Sequence, residues 1–279
     1  MTAVHGHLRK MAAHLAGAAI PVEYALSLDS GDTSLNPMLG QTVRLKFTGR
    51  ITCKHCGTAT NKSFAQGYCY ACFKRLAECD LCVVSPDRCH FAAGTCRDPA
   101  WGERVCMDTH IVYLANSSGI KVGITKPLNT PTRWIDQGAV QGLPIARVAT
   151  RHQAGLLEVA LSRHFTDKTQ WQRMLMADDP LVDMGRFRDQ AATAVSADLE
   201  LLTARFGPSS IEWLVEAEET VVRYPVRSYP TRVKSLDPRK QPNIKGRLMG
   251  IKGQYLMFDT GVLNLRRYIG YEVHVTLGD

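Results

Sequence analysis

At 279 residues, 45% hydrophobic and with a formal charge of +8, the chain can build one large core or two to three smaller ones, and no stretch approaches the ~18 unbroken apolar residues of a membrane span. Its start, "MTAVHGHLRKMAAHLAGAAIP", does not put a basic region before a continuous apolar one, so no secretory signal is read and a cytoplasmic protein is expected; nine cysteines, an odd number, then favour metal binding or catalysis over disulfides. The positive charge suggests an anionic partner, although two zinc ions held by four thiolates each would lower +8 to about +4.

Near the amino end, "VEYALSL" (22–28) and "QTVRLKFTG" (41–49) alternate as strands with one buried face. The chain then changes character. "CKHCGTATNKSFAQGYCYAC" places Cys53 and Cys56, then Cys69 and Cys72, as two C-x2-C pairs. Each pair turns tightly enough to aim two sulfurs at one point, and Gly57 permits the left-handed backbone that brings N–H groups to the thiolates. These four are candidate ligands of a closed tetrahedral zinc site; the plainer alternative is four reduced, buried thiols. In "CDLCVVSPDRCHFAAGTC", Cys79, Cys82, Cys89 and Cys96 are the simplest set for a second metal, with His90 beside them. Cys106 or His110, from "CMDTH", is open as a replacement for one of them, and Cys106 also fits as a small buried hydrophobe. Zinc suits both sites, and an iron–sulfur cluster stays open at the second. Neither shows the open position of catalytic zinc, so both read as staples for 51–107, a region short of apolar runs.

"HIVYLANSSGIKVGIT" (110–125) predicts an antiparallel hairpin around the turn residues Asn116-Ser117-Ser118-Gly119. A short helix over about 131–137 follows, with Thr130 or Thr132 as cap and Gly138 as stop. "PIARVAT" predicts a third strand, and "HQAGLLEVALSRHF" a helix with a broad apolar face. "FRDQAATAVSADLELLTARFG" (187–207) predicts one amphipathic helix.

The order strand, strand, helix, strand, helix, with "VYL", "KVGIT", an arginine and a glutamate in sequence, resembles the GIY-YIG nuclease superfamily over about residues 109–175. On that resemblance Tyr113 matches the tyrosine of the first motif, and Lys121, Val122 and Gly123 fill the second. Arg133 matches the helix arginine, and Glu158 the metal-binding glutamate. The resemblance implies phosphodiester hydrolysis: Mg2+ or Mn2+ on Glu158 polarises the phosphate, Arg133 offsets transition-state charge, and Tyr113 helps activate water in the field of Lys121 or Arg133. The chain departs from the pattern at Ile111, Val112 and Lys121, and "TDKTQW" (166–171) lacks the superfamily's late asparagine. Each residue also has a plain structural use. Tyr113 can pack on Trp134, Lys121 can be a solvated edge residue, Arg133 can pair with Asp136, and Glu158 can sit on a solvated helix face. Across its length, through "QGYCYACF", "CDLC", "GTCRDP", "VYLANSSGIKVGIT" and "PTRWIDQGA", the chain is also similar to a cysteine-rich family of bacterial and archaeal proteins of unknown function.

Toward the carboxyl end, Asp259-Thr260-Gly261 is a hairpin turn between "QYLMF" and "VLNLR", and recurring glycines suggest a curved sheet. A small β-barrel built from both termini is expected. The basic stretch 223–253 interleaves aromatics and cations. Arg223, Tyr224, Arg227, Arg232, Lys234, Arg239 and Lys240 are candidate nucleic-acid contacts, against the alternative of a solvated, proline-broken linker.

The expected fold class is α+β. Residues 1–50 give amino-terminal strands of a terminal β-domain, 51–108 a zinc-stapled cysteine-rich domain, 109–207 a GIY-YIG-like α/β core, and 208–279 the basic remainder of the β-domain. The expected function is a zinc-binding, nucleic-acid-binding protein, acting as a nuclease or keeping the fold for binding to DNA or RNA. The alternative is a metal-stapled scaffold or protein-interaction module with no nucleic-acid role.

Overall fold

The computed structural model describes residues 2–165 and 170–278. Most of the stretch in which the late asparagine was sought (166–169) lies outside them. The amino-terminal strands are β1 (Thr2–His7), β2 (Ala12–His14), β3 (Glu23–Leu28), β4 (Gly31–Ser34) and β5 (Thr42–Ile51). The cysteine-rich segment follows with short helices α1 (Tyr70–Arg75), α2 (Leu81–Val84) and α3 (Pro99–Cys106). The central part runs β6 (His110–Asn116), β7 (Ile120–Thr125), α4 (Thr132–Asp136), β8 (Gln141–Val148), α5 (Arg151–Leu161), α6 (Trp171–Met174), α7 (Met184–Ala194) and α8 (Ser196–Phe206). Strands β9 (Ile211–Trp213), β10 (Thr220–Val221), β11 (Asn243–Lys252), β12 (Tyr255–Phe258), β13 (Gly261–Asn264) and β14 (Tyr271–Leu277) complete the chain.

Among the described residues the class is α+β, with three sheets. The termini do meet: a six-stranded sheet has the order β1-β14-β5-β11-β12-β13, and β2-β3-β4 form a smaller one. Alternation in β5 sends Val43, Leu45 and Phe47 inward and Arg44 and Lys46 outward. The inward set shares one core with Tyr24, Leu26 and Leu28 of β3 and with Val273 and Val275 of β14. Each such side chain contributes roughly 1.5–3 kcal/mol by leaving water.

The β-barrel is not formed. Strands β1 and β13 stand at opposite ends of the order and do not pair with each other, so the sheet is open. Both edges are engaged elsewhere. Leu8, just beyond β1, bridges to Leu28 of the smaller sheet, while Val262 of β13 bridges to Ser235. A second correction concerns 187–207. Val195, with φ −113° and ψ 18°, leaves the helical region and splits the expected single helix into α7 and α8. Its fully buried side chain anchors the corner.

The central sheet runs β10-β8-β6-β7, with β9 on the remaining part of β8, and contains the expected order of strands and helices. One face of the hairpin carries Val112, Leu114, Val122 and Ile124 against Ala154, Leu157 and Leu161 of α5. The helix starts at a capping box: Thr150 accepts from the Gln153 backbone, and Gln153 accepts from that of Thr150. The opposite face carries Ile111, Tyr113 and Ala115 beneath Trp134 of α4. Among the described residues no helix is long and apolar enough to cross a membrane.

Candidate metal centre

Directly after β5 the chain turns at Gly57, whose φ of +72° and N–H···O bond to Cys53 (3.0 Å) close the first C-x2-C pair. Cys69 is the N-cap of α1, so the second pair sits on the first turn of a helix. The Cys72 backbone N–H donates to the Cys69 sulfur at 3.5 Å. The four sulfurs of Cys53, Cys56, Cys69 and Cys72 all lie within 4.8 Å of one another, and Cys56 and Cys69 are 3.8 Å apart. A tetrahedron with Zn–S bonds near 2.3 Å has S···S edges of about 3.8 Å. The donor set therefore fits a zinc ion with no open position.

The electrostatics follow this geometry. Burial raises the Cys53 thiol, but backbone N–H groups of Cys56, Cys69 and His55 outweigh it, and the net shift is downward. Thr58, through side chain and backbone, brings Cys56 down to about 6. Cys72 moves the other way, to about 12, from burial and from its sulfur neighbours. Four thiols this close cannot all ionise without a cation among them.

The second cysteine group divides. Cys79 is buried with Cys53, Tyr68 and Cys72, beside the first site. Cys82, Cys89 and Cys96 instead line an enclosed cavity together with Cys106. His110, the other open replacement, is not among the residues lining that cavity; its Nδ1 bonds to the Asp108 carbonyl at 2.8 Å. Close by, the ligand atoms of Asp80, Cys82 and His90 lie within 4.8 Å of one another. Asp80 was not among the residues selected from the sequence.

The hairpin residues lie on or beside one sheet face. Tyr113 stands opposite Gly123, and Ala115 opposite Lys121. A Cβ at Gly123 would lie 2.5 Å from the Tyr113 hydroxyl, so the glycine makes room for the tyrosine. Tyr113 is fully buried, packs edge-on to Trp134 at 6.0 Å, and accepts a hydrogen bond from Gln137 Nε2 at 2.8 Å. Burial raises its pKa; Arg133 and Gln137 pull it down, and Glu158 pushes it up. Lys121 is only 5% exposed, and burial, then Arg133, lower its pKa to about 8. It is not the solvated edge lysine of the plainer reading. Asp136 is held by Lys10 at 2.5 Å and Gln254 at 2.9 Å.

In the basic stretch, Arg223, Arg227, Arg232, Lys234, Arg239 and Lys240 are exposed. Arg239 pairs with Asp237 at 2.7 Å, and Arg227 donates to the Leu39 carbonyl at 3.2 Å. Tyr224 is in the core, its hydroxyl donating to the Ala139 carbonyl at 2.7 Å. With Tyr229 it faces the ammonium of Lys252, at 5.2 and 5.4 Å from the ring centroids. Lys252 is fully buried and pairs with Asp178 at 2.8 Å, an arrangement that no local pattern signals.

No curated protein and no solved structure matches the chain. Residues 40–273 match the family model described as "Protein of unknown function (DUF2797)", a span that holds all nine cysteines and the hairpin, and the chain belongs to that family.

Proposed function

We propose that this is a zinc protein in which Cys53, Cys56, Cys69 and Cys72 form a structural clamp, and that the clamped segment serves as a scaffold or protein-interaction module carried by the sheets. The convergence of four sulfurs with tetrahedral spacing supports this reading. Four thiolates fill the zinc coordination sphere, leaving no position for water or substrate; the ion contributes folding energy. Elemental analysis of the purified protein tests it. Zinc is expected, with Cys56→Ser losing one equivalent and the 51–107 segment becoming protease-sensitive. Unchanged zinc content in Cys56→Ser contradicts the clamp.

A second reading, phosphate recognition at the hairpin, is favoured by one observation. Arg133 acts electrostatically on both Tyr113 and Lys121, and Glu158 acts on Tyr113, so the four groups share one neighbourhood. In that reading Lys121 and Arg133 bind a nucleic-acid phosphate, and Glu158 holds Mg2+ or Mn2+ if hydrolysis occurs. Titration of a labelled single-stranded oligonucleotide against salt tests it. Binding through several phosphates loses affinity linearly in log–log form, and Arg133→Ala weakens it. Absence of binding at low salt returns the protein to the scaffold reading alone.

A further inference from the structure

The six-stranded sheet packs one face on its core, through Val43, Leu45 and Phe47 of β5. The other face is open. Strand β5 lies inside the order β1-β14-β5-β11, yet its outward residues Arg44 and Lys46 are exposed, as are Lys245 and Arg247 of the neighbouring β11. Exposure on an inner strand means that the described residues leave this face uncovered. Register sets the side chains in rows. One row runs His5, His274, Lys46, Asn243; the next has Thr276, Arg44 and Lys245, and in the one after it Arg247 stands beside Thr42. With strands about 4.8 Å apart and a rise of about 3.4 Å per residue, the backbones of the four cations fall within roughly 15 Å of one another.

The carboxylates nearest these rows are committed elsewhere. Glu272, at one end, binds Arg50 at 2.6 Å and the Thr48 hydroxyl at 2.6 Å. Asp259, at the other, accepts from the Arg247 backbone N–H at 2.9 Å. Among the described residues, the side chains of Lys46, Lys245 and Arg247 have no carboxylate partner. Lys245 also stands directly opposite Arg44, and like charges in that position weaken a sheet. A polyanion laid across the face removes this repulsion. The face is more than a field of charge. His5 and His274 stack, ring centroids 5.5 Å apart and planes 14° from parallel, so an aromatic pair flanks the cations. None of the large apolar side chains that are exposed belongs to β1, β5, β11 or β14, so the face has nothing to insert between lipid headgroups.

We propose that this open sheet face binds single-stranded nucleic acid, with Lys46, Lys245, Arg247 and the adjacent Arg44 on phosphates and the His5–His274 pair against a base. Single strands suit a flat sheet because their bases are free to stack on it, whereas a duplex presents only its backbone. The surface shares no residue with the hairpin Tyr113, Lys121, Arg133 and Glu158, which belongs to the central sheet and its helices, nor with the basic residues of 223–240. It therefore stands whether or not the hairpin recognises phosphate.

The test is fluorescence anisotropy of the full-length protein with a fluorescein-labelled oligouridylate of about 20 nucleotides, titrated over a range of salt. Wild type should bind, with log affinity falling linearly in log salt. Lys46→Glu, Lys245→Glu and Arg247→Glu combined should bind at least about tenfold more weakly at low salt, with the slope flatter by about 2. Reversing three exposed arginines elsewhere, Arg75→Glu, Arg104→Glu and Arg186→Glu, changes net charge equally and should keep the slope. His5→Ala with His274→Ala should weaken binding and leave the slope unchanged. If the sheet-face triple variant does not fold, Lys245→Gln alone should flatten the slope by about 0.7. No binding by wild type overturns the proposal, as does equal loss in the two triple variants. Binding lost in Arg133→Ala but kept in the sheet-face variant assigns the nucleic acid to the hairpin and also overturns it. The reverse pattern supports the sheet face and counts against the hairpin. Binding to phosphatidylserine vesicles that the oligouridylate does not displace would make the face a membrane contact and overturn the assignment.

Discussion

Lys121 shows how far one buried residue departs from the ordinary behaviour of its type. On its strand Val122 and Ile124 pack on α5, while at Gly123 the Tyr113 ring occupies the space a Cβ would need. The lysine is enclosed with them and, next to Arg133, has a pKa lowered to about 8, against 10.5 in an unfolded chain. Between those values the unfolded state binds more protons than the folded one, so this group's contribution to stability rises with pH. Below pH 8 both states are charged and the full cost of burying the ammonium is present. Urea unfolding of wild type and Lys121→Met should therefore show wild type gaining on the variant by roughly 2 kcal/mol between pH 7 and pH 9.5. A gap that stays constant over that range would mean that Lys121 titrates as an ordinary surface amine. The sequence placed Lys121 on a strand but carried no sign of its burial, because what packs over a strand is set by parts of the chain distant in sequence.

At the level of elements, α5 links the two halves of the architecture. One side packs on the hairpin through Ala154, Leu157 and Leu161, while Arg151 donates to the Val83 carbonyl at 2.6 Å in the cysteine-rich segment. Gly155 sits at the contact. A Cβ there would lie 2.5 Å from the Asp87 backbone nitrogen and 2.6 Å from the Pro86 carbonyl carbon. Helix propensity alone predicts that Gly155→Ala stabilises by about 1 kcal/mol. The contact with rigid backbone predicts the opposite sign, a net loss on the order of 1–3 kcal/mol, read as a lower thermal midpoint. Stabilisation by Gly155→Ala would show that the cysteine-rich segment does not dock on α5. The elements themselves were largely legible: β6, β7, α4, β8 and α5 carry strong periodicity and turn chemistry, and the Asp259-Thr260 hairpin joins β12 and β13 as read. The break at Val195 was not, because the apolar period continues through it and only tertiary packing turns the chain there.

For the whole molecule, the sequence indicated that the two termini share a β structure, and they do, across β1, β14 and β5. Closure into a barrel depends on what the outer strands meet, and no local pattern carries that information. The same limit separates the two groups of cysteines. The C-x2-C pairs that converge as Cys53, Cys56, Cys69 and Cys72 are close in sequence and were legible from spacing. The division of Cys79 from Cys106 depends on where α3 comes to rest, and was not. Tyr224 reads as a base-stacking aromatic among cations until its ring is found in the core.

The central claim is that thiolate-bound zinc holds the cysteine-rich segment together. Zinc K-edge X-ray absorption of the purified, reduced protein tests this most directly. The account predicts a first shell of four sulfurs at about 2.3 Å. A shell dominated by nitrogen or oxygen at about 2.0–2.1 Å, or a protein that retains its fold and holds no zinc, would contradict it.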